Sequence, residues 1–155
     1  MLTTRLLMSS LIAFGLALAP TGILAAEPHA HAATAKISLD NGKKWPTDEA
    51  LRRGMGEIRT AMADALPPIH ANKFSSGAFE QLAGRVQGQV DYVTANCKLS
   101  EKADHQLHIV LEHILDGIAV MKADTKRAEG AVKIVQALDL YGANFNHAGW
   151  KPLKH

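Results

Sequence analysis

The chain has 155 residues, 17 Lys and Arg against 15 Asp and Glu, 47% hydrophobic residues, 5% aromatic residues and a single cysteine. That length suits one compact domain with an appended leader. The near-balanced charge excludes a polybasic nucleic-acid binder, because no excess of cations would drive counterion release. One cysteine excludes an intramolecular disulfide framework and a haem attached through paired cysteines. Abundant Ala and Leu with few β-branched runs favour helices over a β-sandwich.

Residues 1–26 read as an exported protein's leader. Arg5 is the one charge before Glu27, Leu11–Ala19 is apolar, Pro20 and Gly22 break it, and Ala25-Ala26 supply small residues for cleavage. The apolar run is shorter than the roughly 20 residues a membrane span needs. The expected destination is the periplasm, with no membrane attachment once the leader is removed. An unpaired Cys97 in an oxidising compartment is then shielded, bound to something, or paired with another molecule. Residues 27–46 read as a flexible N-terminal arm. It contains His29 and His31, a loose metal-binding pair, and the turn signal Asp40-Asn41-Gly42. Pro28 lacks the amide proton that an N-terminal copper chelate through His29 would need to lose.

Four amphipathic helices follow in the domain 47–155. Thr47 is the expected N-cap of the first, with Asp48 and Glu49 in its positive first turn. Its apolar stripe is Leu51, Met55, Ile58, Met62 and Leu66, and Pro67-Pro68 is its expected end. The second begins near Ser75 or Ser76, with Phe79, Leu82, Val86, Val90, Val93 and Cys97 as its stripe. Ser100 caps the third, striped by Leu107, Leu111, Ile114, Ile118 and Met121. A break at Ala123-Asp124-Thr125 precedes the fourth, striped by Ala131, Ile134, Leu138, Tyr141 and Phe145. Helices of about 20 residues with short connections predict an all-α, antiparallel up-down-up-down four-helix bundle.

Antiparallel order would gather Met55, Cys97, His105, His108 and His147 at one end and leave His70 at the other. Thiolate, thioether and imidazole form the donor set that selects copper(I), and zinc also suits the histidines. His105, His108 and Glu112 share one face of the third helix. Taken singly, a core methionine fills a gap and a core cysteine acts as a small hydrophobe. Interior glycines cost about 1 kcal/mol each relative to alanine. Gly54, Gly56, Gly84, Gly88, Gly117 and Gly142 therefore imply either close helix packing or room for a flat ligand beside Met55.

Met55 in Arg-Arg-Gly-Met-Gly-Glu-Ile and His147 in Ala-Asn-Phe-Asn-His carry a resemblance. With the leader, the helix order and His108 early in the third helix, the chain resembles the periplasmic cytochrome b-562-like four-helix-bundle family. The resemblance spans most of 47–150 as pattern. It implies haem b held noncovalently by Met55 and His147, with both axial positions filled, hence electron transfer and no oxygen chemistry. Leu51, Ile58, Tyr141 and Phe145 would wall the porphyrin, and the fourth helix would have to continue past His147. Cys97, His105 and His113 depart from the family pattern and suit a metal ion instead.

Three functions thus stand open: a b-type cytochrome, a periplasmic copper or zinc handling protein using Cys97, Met55 and the histidines, and a cofactor-free adaptor or stress-response bundle. The partner would be a redox or metal-transfer protein, and the chain a monomer or weak dimer. No Gly-rich phosphate loop, His-Glu-x-x-His or Gly-x-Ser-x-Gly points to an enzyme.

Overall fold

The computed structural model describes residues 36–123 and 125–154. The expected leader, the arm up to residue 35 and the His29/His31 pair lie outside them. Four helices form the bundle: α1 Glu49–His70, α2 Ser76–Asn96, α3 Glu101–Lys122 and α4 Arg127–Asn144. Among the described residues, no helix is long and apolar enough to cross a membrane.

Side chains start three of the helices. Oδ1 of Asp48 accepts from the Leu51 N–H at 2.7 Å, Ser75 Oγ from Ala78 at 3.2 Å and Ser100 Oγ from Ala103 at 3.4 Å. Each satisfies an amide with no partner inside its helix. The cap of α1 is thus Asp48 and not Thr47, whose hydroxyl donates instead to Asn146 O at 2.8 Å. Asp48 sits at the residue where the backbone turns helical, and its charge suits the helix dipole. α4 starts without such a bond, from Lys126 in the left-handed region at φ 62°.

Pro67 and Pro68 lie inside α1 rather than ending it. Each removes an N–H, but their own carbonyls accept from Ala71 at 3.1 Å and Lys73 at 2.8 Å, so the last turn stays closed. Ile69, 9% exposed, anchors that turn in the core.

The apolar stripes meet as expected. Leu51, Met55, Ile58 and Met62 on α1 face Val86 and Val93 on α2, Ile114 and Met121 on α3, and Ile134 and Tyr141 on α4, all fully buried in one cluster. Glycine sets the closest approaches. A Cβ on Gly130 would lie 2.5 Å from the Gly117 carbonyl, so α3 and α4 touch backbone to backbone. Gly54 likewise admits the Val93 side chain between α1 and α2. By contrast, Gly56, Gly84 and Gly88 have open space where a Cβ would go.

Contacts between helix ends locate the site. Lys98 N–H donates to Asp48 Oδ2 at 2.5 Å, joining the end of α2 to the start of α1. Trp45 N–H donates to Asn144 O and Asn146 N–H to Trp45 O, both at 2.8 Å, joining the approach to α1 to the end of α4. Ser38 N–H donates to Gln106 Oε1 at 2.7 Å, near the start of α3. The described part of the expected arm, 36–46, is therefore held on the bundle. Trp45 is buried there, donating from its indole to Ser38 O at 2.6 Å. Asn41 at φ 49° and Gly42 at φ 81° make the turn closed by Asp40 and Lys43.

α1 and α4 make less direct contact than α1 with α2, α2 with α3 or α3 with α4. The chain after α4 returns over that seam. Arg59 Nε donates to Lys151 O, Trp150 packs on Gly142, and Leu153 is buried.

Candidate functional site

Asp48 is the hinge of the end that holds Cys97. One carboxylate caps α1, accepts from Lys98 N–H, and takes the Cys97 thiol at 3.5 Å. Burial alone would raise its pKa, yet the bonds from Leu51, Lys98 and Cys97 and the Arg52 charge carry it below the ordinary 3.8. Cys97 lies one residue past α2 in extended backbone, so it does not complete the α2 stripe. It is half-buried against the core. Burial first, then the charge and hydrogen bond of Asp48 and the charge of Asp104, push its pKa up to about 12. It is therefore a thiol at neutral pH, donating to a carboxylate, and the opposite of a thiolate poised for attack.

Tyr141 holds His147 at the same end. The phenol is fully buried on α4, stacked on Phe145 with ring centres 5.2 Å apart and edge-on to Trp150 at 4.8 Å. Its hydroxyl is 3.0 Å from Nδ1 of His147. Burial raises its pKa most, Arg52 lowers it, and the charges of Cys97 and Asp48 raise it further, leaving it well above the usual phenol range. The hydroxyl thus lies within the electrostatic reach of Cys97, Asp48 and Arg52 while it bonds an imidazole. Burial and Arg52 lower the His147 pKa, so that ring is neutral at pH 7.

His147 lies beyond α4, which ends at Asn144, so the continuation past His147 that a haem ligand required is not present. Once Phe145 turns extended, the helix's last donor is its N–H to Tyr141 O, and Gly149 at φ 80° reverses the chain. His147 then lines a surface pocket of about 220 Å³ with Gly56, Arg59, Thr60, Gly149, Trp150 and Lys151. Met55 is fully covered in the core. Among the described residues, the two are thus not presented to each other across a shared opening, and the free space at Gly56 belongs to the His147 pocket. A porphyrin fits this arrangement poorly, because its plane would displace the buried Leu51, Ile58, Tyr141 and Phe145 that fill the core around Met55.

The histidines of α3 stand apart. His108 is exposed, its Nδ1 2.9 Å from Asp104 O and 3.4 Å from Asp104 Oδ2. His105 is exposed beside Gln106, and His113 is half-buried. Among the described residues, no three His, Cys, Asp or Glu side chains gather in a metal-holding group. The donors left near the buried end are Cys97, His147 and the thioether of Met55.

Asp48 and Tyr141 were read from sequence as a first-turn acid and a core aromatic, and Arg52 only as part of the motif around Met55. Only Tyr141 had a local signal, a hydroxyl on a core stripe six residues before a histidine. No family model, curated protein or solved structure matches this chain, so the chemistry of the site is argued from its own residues.

Proposed function

We propose that this is an exported metal-handling bundle that binds a single soft ion, copper(I), at the end of its core that carries Cys97 and His147, with Met55 as a further soft donor. The supporting observation is the end of the bundle where the approach to α1 bonds the exit of α4: there the Cys97 thiol donates to Asp48 at the start of α1, and the His147 imidazole bonds the buried Tyr141 hydroxyl at 3.0 Å. Thiolate, thioether and neutral imidazole are the ligands copper(I) prefers. A lone ion also displaces fewer core side chains than haem b, whose plane would have to fit among Leu51, Ile58, Tyr141 and Phe145. The helical packing suits carriage to a metal-transfer partner. The leader at residues 1–26 would place that exchange in the periplasm.

The test is competition for copper(I) against bicinchoninate, with the leaderless chain and its Cys97→Ser, His147→Gln and Met55→Leu variants. One equivalent should bind, Cys97→Ser should abolish uptake, and the other two should weaken it. Equal binding by Cys97→Ser would overturn the proposal. A Soret band on adding haem, lost in Met55→Ala and His147→Ala, would favour the cytochrome reading instead.

A further inference from the structure

We infer that the surface pocket beside His147 is an oxyanion site, holding inorganic phosphate or the phosphate head of a small monoester against Arg59 and Lys151. The inference goes beyond the copper(I) reading and does not depend on it. An anion uses a ring N–H of His147 and a metal ion a ring lone pair, so the two ligands would exclude each other on that ring.

The lining has the charge an anion needs. Arg59 and Lys151 both line the pocket of about 220 Å³, with His147, Thr60 and Trp150, and no Asp or Glu does. Among the described residues, neither cation has an ion-pair partner. Like charges gathered at one opening repel, and an anion taken from solution relieves that repulsion. The size narrows the choice. Sites that enclose organic ligands run to about 300 Å³ and more, whereas this pocket admits a tetrahedral oxyanion with a few waters at about 30 Å³ each.

The fold holds these donors in place. Arg59 rises half-buried from α1, and its Nε donates to Lys151 O across the α1–α4 seam. That bond fixes one edge of the guanidinium and leaves both Nη groups without a protein partner among the described residues, the pair that can meet two oxygens of one phosphate at once. Lys151 follows Trp150, whose ring lies edge-on to Tyr141 at 4.8 Å, and shortly precedes the buried Leu153. Its backbone is therefore pinned while its side chain is exposed. His147 adds a third donor. Its Nδ1 accepts from the Tyr141 hydroxyl at 3.0 Å, so the neutral ring carries its proton on Nε2, and an imidazolium carries one there too. Thr60 Oγ1 donates to Gly56 O at 3.0 Å and is left as an acceptor, suited to a protonated phosphate oxygen.

Calorimetric titration of the metal-free leaderless chain, with sodium phosphate and separately with methyl phosphate, tests this in sodium chloride solution. Wild type should take up one equivalent of phosphate and shift the His147 ring-nitrogen resonances as it does so. Equal binding of methyl phosphate assigns the site to an ester head, and binding of phosphate alone assigns it to the free ion. Lys151→Gln alters an exposed side chain and should weaken phosphate binding about tenfold or more, the loss expected for one charged donor. Arg59→Lys, which keeps the charge but not the fork, should weaken it as well. Lys154→Gln, outside the pocket, should leave it unchanged. No phosphate binding by wild type would overturn the inference, as would equal losses in Lys151→Gln and Lys154→Gln, which would mark a general effect of surface charge. Phosphate binding by a chain that takes up no copper(I) would sink the function proposed above and leave this site standing.

Discussion

Asp48 carries three bonds with three consequences: it starts α1 through Leu51, ties in the α2–α3 connection through Lys98, and holds the Cys97 thiol. Asp48→Ala should therefore cost at least the loss of an N-cap, about 0.5–2 kcal/mol, in denaturant unfolding. Its pKa is depressed in the folded chain, so the folded state binds fewer protons than the unfolded one as acid is added. The stabilisation is complete above the ordinary 3.8 and is lost as pH falls through the lower folded value. Asp48→Asn should flatten that acid limb, and an unchanged acid limb would contradict the assignment. Cys97 gives a second pH signature. Its thiol titrates near 12, so each copper(I) bound near neutral pH displaces a proton, and affinity should rise about tenfold per pH unit. None of this was legible from spacing. Asp48 and Cys97 are 49 positions apart, and only the fold sets a carboxylate against a thiol.

The four helices were legible because each carries an apolar stripe at helical spacing, and the stripes became the core. Ile114 illustrates this. It is fully buried, and Ile114→Ala should cost about 2–5 kcal/mol as a core truncation. Boundaries were less legible, since they depend on tertiary contacts. Burial of Ile69 carries α1 through Pro67-Pro68, and the turn at Phe145 stops α4 before His147. The glycines look alike in sequence and separate only by their neighbours. Gly130 meets the backbone of α3, so Gly130→Ala should destabilise by about 1–3 kcal/mol through forced separation of α3 and α4. Gly84 faces open space, so Gly84→Ala should stabilise by about 0.4–1 kcal/mol. Thermal melts of the two variants moving in the same direction would contradict this account of the α3–α4 contact.

At the scale of the molecule, one end of the bundle is tied together by segments far apart in sequence. The approach to α1 bonds the exit of α4, and the C-terminal residues run back over the loosely packed α1–α4 seam. The sequence placed sulfur and imidazole donors near this end. Of these, His105 and His108 lie exposed on α3. A bound ion should stabilise the whole fold by mass action, by about 2.7 kcal/mol at a free concentration a hundredfold above the dissociation constant. The central claim is that Cys97 and His147 hold the same ion, and X-ray absorption at the copper edge of the copper(I)-loaded protein reads it directly. The account predicts sulfur and imidazole nitrogen together in the first coordination shell, with the sulfur contribution reduced in Cys97→Ser. A shell of nitrogen and oxygen alone, unchanged by that substitution, would contradict it.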